Sequence, residues 1–198
     1  MNRKRVRKGV ENRKNCRKKW TKKQSLPNPT GKYRLFILVG GKSSRFGKDK
    51  TQLTYRFLYR KFRHFRPIFV AKKCKFKGYP FFVETTQQFA PIFPIIELLK
   101  CYSQILVLNG DTPKISSYTL RQLIYHRRVA TQNPLVGVYL KRRDLERLKR
   151  RALTTLRLTG IAPTYSVNPK ELLNINRPFQ WEEFLTTPTY PKYLSNFF

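Results

Sequence analysis

From Leu35 onward, short apolar runs alternate with longer stretches whose apolar residues recur three or four positions apart. Those two periods in regular succession admit few architectures. Each short run reads as a strand, each longer stretch as a helix returning over a sheet face, and the product is a βαβ series around a parallel sheet. The spacing predicts strands over 35–39, 68–71, 81–84, 105–109, 135–140, 164–167 and 172–175. It predicts helices over 50–64, 91–101, 118–128, 142–156 and 178–185. The expected fold class is α/β, three-layered, with a mostly parallel twisted sheet and helices on both faces. No internal repeat is visible.

Residues 1–32 break from this pattern. They hold 13 of the 43 Lys and Arg residues and one acid, Glu11, with almost no apolar period before the turn signals "LPNPTG". The expectation is a disordered basic N-terminal arm followed by one domain over 33–198. That domain is basic in its own right, with 30 basic against nine acidic residues, a formal +21 within a whole-chain charge of +33. Such an excess favours polyanionic company: nucleic acid, nucleotides, phosphorylated cofactors or acidic lipid. Charge alone does not choose among them.

Cys16, Cys74 and Cys101 are odd in number, widely separated and without a CxxC pair or a His at zinc-site spacing. This argues against a disulfide framework or a structural metal and for a reducing, cytosolic setting. The chain lacks an apolar run of about 18 residues, so neither a membrane span nor a secretory signal is expected.

The stretch "RLFILVGGKSSRFGKDKTQL" runs a strand into two glycines and then into hydroxyl and basic side chains. Gly40 and Gly41 let a ligand approach the backbone without Cβ clashes, and the helix that follows offers free N–H groups and its positive dipole end. That is the physics of phosphate binding. The dinucleotide fingerprint GxGxxG fails for want of a third glycine in register, and the loop GxxxxGK[ST] fails because five residues, not four, separate Gly41 from Gly47 and Asp49 follows Lys48. A plain surface turn with a solvated charge run is the bland alternative.

The pattern that fits is L-x-G-G-x-S-x-R-x-G-x-D-K, present from Leu38 to Lys50 as "LVGGKSSRFGKDK". It resembles the signature of the pyrophosphorylase-type nucleotidyltransferases, and its double glycine with Lys is similar to the molybdenum cofactor guanylyltransferase family. Further on, "ILVLNGDTP" resembles that family's strand-DTP motif through Asp111, Thr112 and Pro113. "ETTQQFAPIFPI" stands at the family's nucleotide-side acidic segment through Glu84, and "LLNINRPFQWEEF" is similar to its N-x-N ending through Asn174 and Asn176. The departures are Glu84 for the usual Asp, Pro94 where a glycine-rich continuation is expected, Ala71 for an Asn after the second strand, and Arg177 for Thr.

The resemblance implies a Rossmann-like nucleotidyltransferase fold and transfer of GMP from GTP to molybdopterin, with Mg²⁺ as cofactor and pyrophosphate released. It implies Lys50, Arg45 and Asp111 as catalytic residues, with Asp111 on the metal. Leu38, Val39, Gly40, Gly41, Ser43, Ser44, Lys50, Glu84 and Asn176 would line the nucleotide, while Asp49 orients the basic side chains. GTP and molybdopterin are the implied small-molecule partners, alongside molybdoenzymes or other proteins of cofactor synthesis, in the cytoplasm. The basic arm adds nucleic acid as a candidate partner. Transfer of CMP to molybdopterin or of a nucleotide to a sugar phosphate is the alternative within the enzyme class, and a nucleic-acid-binding protein on a decayed transferase fold is the alternative outside it.

His64 and His126 lie in helical segments beside Arg residues and read as surface histidines. In "YRFLYRKFRHFRPIF" the aromatics interleave with basic residues, as a base-stacking platform would. Yet Leu53, Phe57 or Leu58, Phe62 and Phe65 share one helix face, which favours core packing with a basic outer face. In "KRRDLERLKRRALTTL", Leu145, Leu148, Ala152 and Leu156 likewise fall on one side of a helix.

Overall fold

The computed structural model describes residues 33–40, 51–74, 76–175 and 177–186. The arm over 1–32 and most of the glycine loop therefore lie outside the described residues.

Seven strands form one sheet: β1 Leu35–Leu38, β2 Ile68–Ala71, β3 Phe81–Val83, β4 Gln104–Asn109, β5 Val129–Ala130, β6 Gly137–Leu140 and β7 Thr164–Tyr165. Five helices complete the described fold: α1 Thr51–Lys61, α2 Ile92–Cys101, α3 Ser117–His126, α4 Lys141–Ala152 and α5 Pro178–Thr186. The strand order is β3-β2-β1-β4-β6-β5-β7. β1 pairs in parallel with both β2 and β4, and β2 with β3. β6 runs antiparallel to β4 and to β5, and β7 is again parallel to β5. The expected mostly parallel α/β sheet is present, with one reversed strand between two parallel blocks.

Alternation along the strands separates two cores. Leu35, Ile37 and Val39 of the β1 segment face one way, against Leu58 of α1, Phe62 just after it, and Leu120 and Leu123 of α3. Phe36 and Leu38 face the other, against Ile92, Ile95 and Leu99 of α2 and Leu145 and Leu148 of α4. A central strand buried on both faces needs an unbroken apolar run, and β1 shows one, every residue buried. The amphipathic reading of α1 holds where the residues are described: Leu58 and Phe62 are fully buried.

Three expectations are corrected. The strand expected over 172–175 is instead a 3-10 turn, Pro169–Leu172, capped by the side chain of Asn168 and followed by chain outside the sheet. The helix expected to reach Leu156 ends at Ala152, and Leu156 is 41% exposed with φ of 58°. β5 was not expected, being only two residues long. It pairs through Val129 with Gly137, where φ is 140° and a Cβ would sit 2.4 Å from Val129 Cα, so that crossing admits only glycine.

Candidate active site

In an open α/β sheet, ligands bind beyond the carboxyl ends of the strands where the chain's direction of progress along the sheet reverses. Here the chain moves outward from β1 to β2 and β3, then returns to the other side of β1 with β4. The reversal falls between β1 and β4, and both strands deliver motif residues there: Leu38, Val39 and Gly40 from β1, and Gly110 and Asp111 from β4.

The two strand ends are pressed together. The Gly110 N–H donates to the Leu38 carbonyl at 2.9 Å, and a Cβ on Gly110 would lie 2.9 Å from that same oxygen and 3.0 Å from Val39 Cγ1. The Val39 N–H donates to the Val70 carbonyl at 2.9 Å, holding the chain in the sheet up to Gly40. Gly40 is exposed, and its missing Cβ would stand 3.6 Å from Glu84 Oε1. Glu84 follows β3, donates its N–H to the Ala71 carbonyl, and is buried to 9% exposure. Burial pushes its carboxyl above the usual carboxylate range, the charge of Glu97 adds to that, and Lys72 opposes it.

Asp111 is also 9% exposed. Thr112 turns the chain behind it, its Oγ1 donating to the Asn109 carbonyl at 2.7 Å. The Asp111 carbonyl accepts from the Ile175 N–H at 2.8 Å, which draws the "NIN" segment onto the DTP turn. Beside that contact, the buried Asn174 Oδ1 accepts no hydrogen bond from the described residues.

Helix α1 adds two contacts that motif reading missed. Thr54 Oγ1 donates to the Gly110 carbonyl at 2.8 Å, and Lys61 Nζ donates to the Pro113 carbonyl at 2.8 Å. Seven residues apart, the two side chains share one helix face and grip the turn on either side of Asp111. Lys61 also packs over the rings of Phe57 and Phe62, and burial lowers its ammonium to about 8 despite the nearby charge of Glu171. An acceptor carbonyl more than fifty residues away carries no local sequence signal, which is why neither residue stood out.

Of the residues singled out from the sequence, Leu38, Val39, Gly40, Glu84 and Asp111 meet at this rim. Gly41, Ser43, Ser44, Arg45, Asp49, Lys50 and Asn176 lie outside the described residues. His64 and His126 are both exposed and away from the rim; His126 stacks on Tyr165 with ring centroids 4.2 Å apart. Burial and the charges of Arg121 and Arg63 lower the His64 imidazole.

A magnesium ion takes few protein ligands and completes its octahedron with phosphate oxygens and water. Asp111, nearly buried at a strand end, and the unsatisfied amide oxygen of Asn174 next to it are hard oxygen donors of that kind. Among the described residues no group of three His, Cys, Asp or Glu converges on one point.

Fold and rim define an α/β protein with a candidate ligand site where the ends of β1 and β4 meet. A solved structure, molybdopterin-guanine dinucleotide biosynthesis protein A from Archaeoglobus fulgidus, superposes with a TM-score of 0.59 at 18% identity, over 76% of this chain and 95% of that one. A protein of Aquifex aeolicus VF5 superposes with a TM-score of 0.58 at 25% identity, over 72% and 92%. In sequence, the chain is 31% identical over 101 residues to the molybdenum cofactor guanylyltransferase of Campylobacter jejuni, covering 44% of this chain and 53% of that protein. The match thus spans about half the length of that curated relative. No family model matches the chain. In sequence over about half its length and in fold, the chain is similar to the molybdenum cofactor guanylyltransferases. Among the described residues no helix is long and apolar enough to cross a membrane.

Proposed function

We propose that the chain transfers GMP from GTP to the terminal phosphate of molybdopterin, releasing pyrophosphate. The observation that carries this reading is the meeting of Gly40, Glu84 and Asp111 at one rim, directly before a loop whose sequence holds the Leu38–Lys50 motif.

The acceptor is a phosphate monoester with a second pKa of about 6, so at neutral pH it is already an anionic nucleophile. It needs no general base. One of its oxygens attacks the α-phosphorus of GTP, the bond to the β-phosphate bridging oxygen breaks, and that oxygen leaves on pyrophosphate. Catalysis is then positioning and charge neutralisation. Ser43 and Ser44 donate to phosphate oxygens, and Arg45 and Lys50 balance the charge that gathers on the α-phosphate and the leaving group. Asp111 would hold Mg²⁺, with Asn174 and, from the sequence motif, Asn176 as further oxygen donors, and the ion would supply electrostatic stabilisation of the phosphates. Glu84 presents a carboxylate to paired N–H donors on the guanine edge.

Pyrophosphate release from GTP, ATP and CTP, with Mg²⁺ and a molybdopterin acceptor, tests this. GTP is expected to be preferred, and Asp111→Ala and Lys50→Ala are each expected to cost about a hundredfold or more in turnover with circular dichroism unchanged. Silence with all three nucleotides from folded protein, or undiminished turnover in either variant, would overturn it.

A further inference from the structure

The segment after Glu84 departs most from a glycine-rich nucleotide loop: no glycine occurs between Gly78 and Gly110. The structure shows what holds it instead. Glu97, in the second turn of α2, accepts from the Thr85 N–H at 2.8 and 3.1 Å, from the Thr85 hydroxyl at 2.8 Å and from the Thr86 N–H at 2.8 Å. From the opposite side Lys72, one residue beyond β2, donates through Nζ to the carbonyls of Thr86 at 3.1 Å and Gln88 at 2.7 Å. The same ammonium lies 3.9 Å from the ring centroid of Phe89, and the Gln88 N–H donates to Thr86 Oγ1 at 3.3 Å.

A carboxylate and an ammonium thus clasp one short loop by its backbone, and hydrogen bonds to charged groups are the stronger kind. The N–H groups of Thr85, Thr86 and Gln88 and the carbonyls of Thr86 and Gln88 are engaged inside the protein. A glycine-rich loop would offer such groups to a base; here recognition falls to the Glu84 side chain at the head of the clasped loop, over Gly40.

We propose that Glu97 and Lys72 are positioning residues for nucleobase recognition, clasping 85–88 so that the Glu84 carboxylate is held for a base with paired N–H donors. This rests on the guanylyl-transfer reading above and names how its selectivity is built. Both residues bond the loop that follows Glu84, so the clasp is expected to act on the base rather than on the polyphosphate.

The test compares the full chain with Glu97→Ala, Glu97→Gln and Lys72→Met. It measures KM and kcat with GTP, ITP and ATP, together with inhibition by tripolyphosphate, which has no base. Glu97→Ala and Lys72→Met are expected to raise KM for GTP about tenfold or more with kcat within about twofold. Tripolyphosphate inhibition should stay unchanged and preference for GTP over ATP should shrink. Wild type should prefer GTP over ITP, which lacks the 2-amino donor, and Glu97→Gln, keeping one acceptor oxygen, should recover part of the loss. Unchanged KM and base preference in variants of an active wild type would overturn the clasp alone. Equal losses for GTP and tripolyphosphate would also overturn it, marking a merely structural role. A wild type that neither binds nor turns over any nucleotide would overturn the functional reading and the clasp with it. Should Glu97→Ala fail to fold, Lys72→Met and Glu97→Gln carry the same comparison.

Discussion

Gly110 shows how tightly a single position constrains the site. Its N–H is bonded to Leu38, and the space a Cβ would take is already filled by that same carbonyl, a backbone atom with no freedom to turn aside. Gly110→Ala must therefore part the ends of β1 and β4. A loss of about 1–3 kcal/mol in denaturant unfolding is expected, together with a fall in turnover beyond what stability explains, because Asp111 moves with the strand end. At this scale the sequence was informative where chemistry is local: the DTP turn and the two glycines announce themselves within a few residues. Thr54, Lys61, Lys72 and Glu97 did not. Each bonds to backbone 11 to 56 positions away along the chain, and an ordinary Thr, Lys or Glu carries no mark of a partner that folding supplies.

Helix α1 shows the same division at the level of an element. Its apolar face was readable from spacing, whereas its grip depends on the turn after β4, more than fifty residues further along the chain. That grip has a pH signature. Lys61 titrates near 8 in the fold against 10.5 unfolded, so between those values the unfolded chain binds the additional proton and stability rises with pH. Below about 8 both states are charged and the burial penalty is present in full. Urea unfolding of Lys61→Met against wild type should show the rise from about pH 8 to 10.5 in wild type and its loss in the variant. The short elements escaped reading for a different reason. β5 and β7 have two residues each, too few for any period, and the apolar residues of 172–175 pack as a turn and an extended tail against Asp111.

For the whole molecule the dominant quantity is charge. The formal charge of +33 remains after every acid is counted, and among the described residues the ion pairs are Arg143–Asp144 and Lys149–Glu146, of which only Asp144 is fully buried. Self-repulsion then opposes compaction, and screening relieves it. Raising sodium chloride from about 0.05 to 0.5 M should raise Tm in a thermal melt, the reverse of a fold held by surface ion pairs; a flat or falling Tm would contradict this. The α/β class and the positions of its main strands along the chain were readable because burial on both faces demands long apolar runs. The reversed β6 was not, since a buried strand has the same composition whichever way it runs. That reversal divides the rim. β1, β2 and β3 end on one side of β4, while on the other β6 begins and β5 and β7 end, with only β4 shared between the two halves. Loops grafted or lost on the β5–β7 side leave the glycine strand and the clasped loop undisturbed. Under the proposed transfer, such a sheet lends itself to descent by halves, the side that carries Gly40, Glu84 and Asp111 being inherited intact while the other side is rewritten.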